Sequence, residues 1–268
     1  MKKISGARVV VTGRAVLLAI TAYGQYLLSA QTPAVEGHSG TTRVRVPFVG
    51  CKSDGQVGPL KPPNGRSKAV SISAEAANKL AYYKAREGFG VLAPRGWYCF
   101  GTYGSNGSSV YVSPQPISTS DFFSGKWGGL TSSGVQLSFN YGDTSGRFEV
   151  ARIIARVFPA YRHLVSEVIK EGIEPPSSFP FGPYPSDKLT YKGKNIVEFE
   201  TPGNADGLGT NSWLKKNSTP INGSISLVYN DGLMPGALSL SLRLSPNLSS
   251  LGPTIIQQTE WAARHPKY

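Results

Sequence analysis

Residues Trp97–Ser113, WYCFGTYGSNGSSVYVS, decide the fold. Trp97–Tyr103 and Ser108–Ser113 are rich in aromatic and β-branched residues, the composition of a pleated and half-buried surface. Gly-Ser-Asn-Gly joins them, and Asn106-Gly107 between two such runs is a strong hairpin signal. Downstream, Val135–Tyr141 (VQLSFNY) alternates as a further strand. Lys188–Tyr191, Asn195–Thr201, Ile221–Tyr229 and Ala237–Leu244 continue the pattern, with turns at Gly193 and Asn230-Asp231-Gly232. Tight turns between short alternating runs predict antiparallel pairing.

Helical signals flank these strands. Ser73 caps a predicted helix over Ala74–Arg86, with Glu75 in the first turn, Ala76, Ala77, Leu80 and Tyr83 on one side, and Gly88 as a stop. The strongest periodicity runs over Phe148–Glu171, where Val150, Ile153, Ile154, Val157, Tyr161, Leu164, Val165 and Val168 follow 3.6-residue spacing. Pro159 interrupts it, so the helix either kinks there or restarts with proline in its first turn. A last helix is predicted over Pro253–Arg264. The fold class expected is α+β: antiparallel sheet packed against a long central helix and a C-terminal helix.

The N-terminus reads as an export signal. Lys2, Lys3, Arg8 and Arg14 precede the apolar run Ala15–Ala30 (AVLLAITAYGQYLLSA), which is short of the ~20 residues a spanning helix needs. Residues 1–30 are therefore expected to be a signal peptide, with cleavage after Ala30 or as late as Ala34. That places the mature chain in the periplasm or outside the cell, with no permanent membrane span after removal. Residues 31–72 read as an extended segment with one short strand, Thr42–Val49, whose Arg43 and Arg45 share a face. Residues 73–268 form the α+β globular domain, in which the proline-rich stretch at 174–186 is the candidate boundary between two halves. Removing residues 1–30 leaves 24 Lys and Arg against 16 Asp and Glu, a net charge of +8 in place of +12. A surface of that sign attracts anionic polymers.

The cysteines are two, Cys51 and Cys99. In an oxidising compartment this minimal even count predicts one disulfide between them.

Candidate chemistry is sparse. His38, His163 and His265 have no metal-ligand spacing, so no metal site or cofactor is expected. His163 is a candidate base. Glu198 and Glu200 flank Phe199 on one strand face and could act as an acid–base pair, although the solvent face of an amphipathic strand with Val197 and Phe199 inward is the stronger explanation. Ser212-Trp213-Leu214-Lys215 matches S-x-x-K without its companion K-T-G. Basic residues recur beside aromatics at Tyr82, Tyr83, Lys84 and Arg86, at Arg95 and Trp97, at Lys126 and Trp127, and at Trp213, Lys215 and Lys216. The mixture suits stacking on sugar rings together with pairing to phosphate or carboxylate. Trp97, Lys126, Trp127, Trp213, Lys215 and Lys216 are the binding candidates, with Asp206 in the glycine-rich loop Thr201–Thr210. Export argues against nucleic acid as partner.

At Val91–Pro114, Tyr141–Phe158 and Phe199–Thr210 (FETPGNADGLGT) the chain resembles a group of exported bacterial proteins of uncharacterised function. The resemblance implies a bacterial envelope location and supplies no activity, cofactor or site residue. The function expected is non-catalytic binding of an anionic glycan, a peptide or another envelope protein. An exported hydrolase acting on cell-wall polymer and a subunit of an envelope assembly are the alternatives.

Overall fold

The computed structural model describes residues 41–229 and 234–266. The expected signal peptide, His38 and the Asn230-Asp231-Gly232 turn lie outside the described residues. In chain order the first half carries β1 (Thr42–Gly50), β2 (Lys52–Gly55), β3 (Ser67–Ile72), α1 (Ala74–Lys79), β4 (Leu80–Lys84), β5 (Val91–Pro94), β6 (Tyr98–Gly104), β7 (Gly107–Ser113), α2 (Thr119–Phe123) and β8 (Gly134–Asn140). The second half adds α3 (Arg147–Val157), α4 (Arg162–Lys170), β9 (Lys188–Tyr191), β10 (Ile196–Thr201), β11 (Ile221–Val228), β12 (Gly236–Arg243) and α5 (Gly252–Arg264).

The strands build two sheets. A four-stranded sheet has the order β3-β1-β4-β5, and an eight-stranded sheet the order β2-β6-β7-β8-β12-β11-β10-β9. The β6–β7 hairpin pairs Tyr98 with Ser113 through Gly104 with Gly107, as the Asn-Gly signal requires. β12 returns to ladder with β8, so the proline-rich connector does not divide the sheet. Val135, Leu137, Phe139, Leu238, Leu240 and Leu242 point to one face, where the four-stranded sheet and α5 enclose a core. Val197, Phe199, Ile225, Leu227 and Ala237 point to the other, where α3 and α4 enclose a second core. The result is three layers, with the eight-stranded sheet in the middle.

The long central helix is not formed. Phe158 leaves helical geometry, Pro159 opens a short 3-10 turn over Pro159–Tyr161, and α4 follows as a separate helix. Arg147 at the start of α3 pairs with Glu171 just past α4 at 2.5 Å. One unbroken helix would hold them about 36 Å apart. The two helices therefore fold back as a hairpin. Each lays half of the apolar stripe on the sheet, with Val150 and Ile154 buried from α3 and Val165 and Val168 from α4.

Three further expectations are corrected. The helix capped by Ser73 stops after Lys79, although the cap is present, with the Ala76 N–H donating to Ser73 Oγ at 3.2 Å. Residues 80–84 instead become β4, hydrogen-bonded to β1 on one edge and β5 on the other. Leu80, Ala81 and Tyr83 are all within 1 % of complete burial, and burial on both sides of a central strand overrides a modest helical preference. Residues 42–72 make three strands where Thr42–Val49 alone is expected. Nor is the pairing wholly antiparallel, since β1 runs parallel to β4 and β2 parallel to β6.

Both parallel pairs arise because the chain passes from the small sheet to the edge of the large one at Cys51. There the disulfide to Cys99 of β6 is formed, across a separation of 48 residues and with Cα atoms 5.3 Å apart. It pins the crossing between the sheets. The bond fits an oxidising compartment.

Candidate functional site

Two surfaces concentrate recognition chemistry, one on each side of the eight-stranded sheet. The first grows from the loop after α2 and the loop before β11. Leu130 N–H donates to Trp213 O at 2.8 Å, and Lys215 N–H to Leu130 O at 3.0 Å, so main-chain bonds zip the two loops together. That places the Trp127 and Trp213 rings 5.0 Å apart, and Phe122 5.0 Å from Trp127 and 5.4 Å from Trp213. Tyr111 of β7 supports Phe122 and Trp127 from below. Lys215 Nζ lies 5.1 Å over the Trp213 ring, a cation–π contact. Lys126 is exposed beside Trp127, and Phe123 is half exposed at the margin.

Arg243 of β12 holds this platform from beneath. Its guanidinium is 3 % exposed and donates to Lys215 O at 2.7 Å and Ser132 O at 3.1 Å. Burial pushes its pKa below the ordinary arginine value. Gln136 completes the support, its Oε1 accepting from the Trp213 N–H at 2.7 Å. Neither residue is marked by the sequence, because a strand arginine is ordinarily read as solvated.

The second surface is a cleft of about 1070 Å³ between the four-stranded sheet, the turn after β4 and α5. Arg43 of β1, Lys68 of β3, Lys84 of β4 and Arg86 line it, and Glu87 is the one carboxylate among the described lining residues. Tyr82, Phe139 and Tyr141 supply apolar wall, and Trp261 of α5 stands half exposed, stacked on His265 at 4.5 Å. Lys68 Nζ sits 5.2 Å over the Tyr82 ring. Lys84 Nζ donates to Gly88 O, and burial pulls the Lys84 amine below its ordinary value. Gly90 permits the turn to close on Tyr82, since a Cβ there would meet the ring at 2.5 Å. Gln258 Nε2 ties α5 to Ser71 O of β3 at 2.9 Å, across the cleft floor.

The expected catalytic residues are not brought together. His163 is exposed on α4, in the helical layer. Glu198 and Glu200 face the opposite side of the sheet, opposite Ser224 and Asn222 of β11. Each is ion-paired, Glu198 with Lys192 at 3.5 Å and Glu200 with Lys188 at 2.6 Å. Ser212 has extended backbone and donates to Gly209 O at 2.6 Å, while Lys215 is turned to Trp213. Of the binding candidates, Lys126, Trp127, Trp213 and Lys215 share the platform. Lys216 pairs with Asp206 at 2.7 Å, and Trp97 packs against the core on the other side of the sheet. The basic–aromatic run at Tyr82, Lys84 and Arg86 turns out to line the cleft.

No His, Cys, Asp and Glu grouping that could hold a metal ion occurs among the described residues, and none of their helices is long and apolar enough to cross a membrane. Comparison of the chain with family models, curated proteins and solved structures finds no match.

Proposed function

We propose that this is an exported, non-catalytic protein of a bacterial envelope that holds an anionic ligand, a glycan or an acidic peptide or protein segment, in the cleft beside α5. The observation carrying this reading is that Arg43, Lys68, Lys84 and Arg86 line one concave, aromatic-walled space of about 1070 Å³, with Glu87 as the one carboxylate among its described lining residues. Four cations converging on a low-dielectric concavity focus a positive field there, and rings offer a face to sugars or apolar side chains. Periplasmic or secreted location is part of the proposal, supported by the N-terminal signal pattern and the Cys51–Cys99 bond. The resemblance to exported bacterial proteins is consistent with it. Separation of His163 from the carboxylates, on opposite sides of the sheet, favours binding over hydrolysis.

The test is retention of the protein on insoluble peptidoglycan and on lipopolysaccharide-coated beads. Retention at low salt should fall away by about 0.5 M NaCl, where exposed charges are largely screened. The triple variant Arg43→Gln, Lys68→Gln, Arg86→Gln should bind at least about tenfold less tightly, because three of the four cations are gone. Absence of retention on both materials at low salt, or equal retention by the variant, refutes the proposal.

A further inference from the structure

The face of α5 turned away from the cleft carries a buried acid. Glu260 is 5 % exposed and packs toward β11, where Ser224 and Ser226 are each 1 % exposed. Among the described residues, Glu260 Oε1 and both serine Oγ atoms have no hydrogen-bond partner. From the neighbouring strand β10, Glu198 reaches the Glu260 carboxyl. Glu198 keeps 28 % of its side chain exposed and an ion pair to Lys192, so the buried Glu260 is the group on which a charge beside a neighbouring carboxylate is costly.

We infer that Glu260 and Glu198 form a proton-operated latch that holds α5 on the eight-stranded sheet and thereby shapes the cleft on the other side of the helix. The geometry supports this directly. Gln258, Trp261 and His265 of the same helix line the cleft, so a shift of α5 moves one of its walls. When the pair carries a proton, the carboxyl can donate into the buried polar cluster and α5 docks tightly. When Glu260 ionises, its buried charge beside the Glu198 carboxylate pushes the helix outward.

The surrounding charges do not remove the effect. Arg264 of α5 reaches Glu260 Oε2 at 3.3 Å, and Lys192 of the β9–β10 turn reaches Glu198 at 3.5 Å. Both favour ionisation, yet burial and the Glu198 charge together still push the Glu260 carboxyl above its ordinary value. β11 presents only the two serines there, and β12 presents leucines. β5 and the turn Pro246–Leu251 carry no titratable side chain, and Lys68 of β3 is turned to Tyr82. An acid whose folded value is raised is most compatible with the fold below the ordinary carboxylate range. Its contribution is lost progressively as pH climbs through the raised value.

The latch itself does not depend on a ligand; its consequence for binding rests on the cleft being the binding site. The experiment is hydrogen exchange of the α5 amides, corrected for intrinsic rates, in the intact protein and in two variants. Between about pH 5 and about pH 7.5, wild-type α5 should lose protection, the direction set by an acid whose folded value is raised. Glu260→Gln, which keeps the shape of the protonated acid, should be flat. Glu198→Gln, which removes the like charge and leaves Glu260, should show less than half the wild-type change. Flat wild-type protection, or an unchanged slope in both variants, overturns the latch. A latch seen by exchange together with pH-independent retention on peptidoglycan would leave the latch standing and overturn the cleft as its target.

Discussion

Breaking the Cys51–Cys99 bond by the double substitution Cys51→Ala, Cys99→Ala should cost the protein about 4 kcal/mol, from the loop-entropy relation for the 48-residue separation. The double variant is preferred to a single one because it leaves no free thiol. Domains of this kind hold about 5–15 kcal/mol in total, so the loss is roughly a quarter or more of what there is. The change is not uniform over the molecule. β1 pairs with β4 over three residues, Phe48–Gly50, and β2 with β6 over four, Lys52–Gly55. These short ladders flank the bridge and should open first, taking with them the strand that supplies Arg43 and Phe48 to the cleft. Urea unfolding followed by tryptophan fluorescence should place the midpoint lower by about 1.5 M, taking the slope usual for a chain of this size. Limited proteolysis should cut first near residues 42–55. Reductant should reproduce the shift in the wild type and leave the double variant unchanged. A midpoint displaced by less than about 0.3 M, too little for a 4 kcal/mol loss at any ordinary slope, would show that the two sheets hold the crossing without the bond.

Two packing predictions accompany it. Gly129 has φ +88°, and a Cβ there would meet Trp213 O at 2.6 Å; Gly129→Ala should cost about 1–2 kcal/mol by urea unfolding and alter the near-ultraviolet dichroism of the tryptophan pair. Unchanged dichroism would mean that the two loops adjust without moving the rings. Leu240 is fully buried at the centre of β12, between Ser224 and Leu137; Leu240→Ala should cost about 3–4 kcal/mol in the same assay. A loss below about 1 kcal/mol would mean that the core between the sheets can close around the missing atoms.

The parts of the fold legible in the sequence are those whose determinants are local. The β6–β7 hairpin follows from Asn106-Gly107, α5 from Pro253 in its first turn, and β9 to β12 from their alternation. The capped start of α1 follows from Ser73. What fails is decided by distant partners. Leu80–Lys84 has the composition of a helix extension, but β1 and β5 are waiting on either edge, and the gain is two ladders of hydrogen bonds plus burial of Leu80 and Tyr83. The stripe over Phe148–Glu171 is read correctly as apolar and wrongly as continuous. Periodicity is nearly blind to a break when the stripe resumes in phase, and only Pro159 signals it.

The site divides the same way. Basic and aromatic residues adjacent in sequence are easily seen, and Trp127 and Trp213 are drawn together by the Leu130–Leu214 bridge between their loops. The cleft is assembled from β1, β3, β4 and α5, so no stretch of sequence contains it. The β1–β3 register pairs Arg43 with Ser71 and Val46 with Lys68, so the two cations leave opposite faces of the small sheet and still both line the cleft, which no alternation within one strand would suggest. The same logic governs Glu198. Read on its own strand it is a solvated carboxylate paired with Lys192, and only the docking of α5 brings a second acid beside it. Chemistry carried by one residue is legible in sequence; chemistry carried by a pair waits for the register that makes the pair.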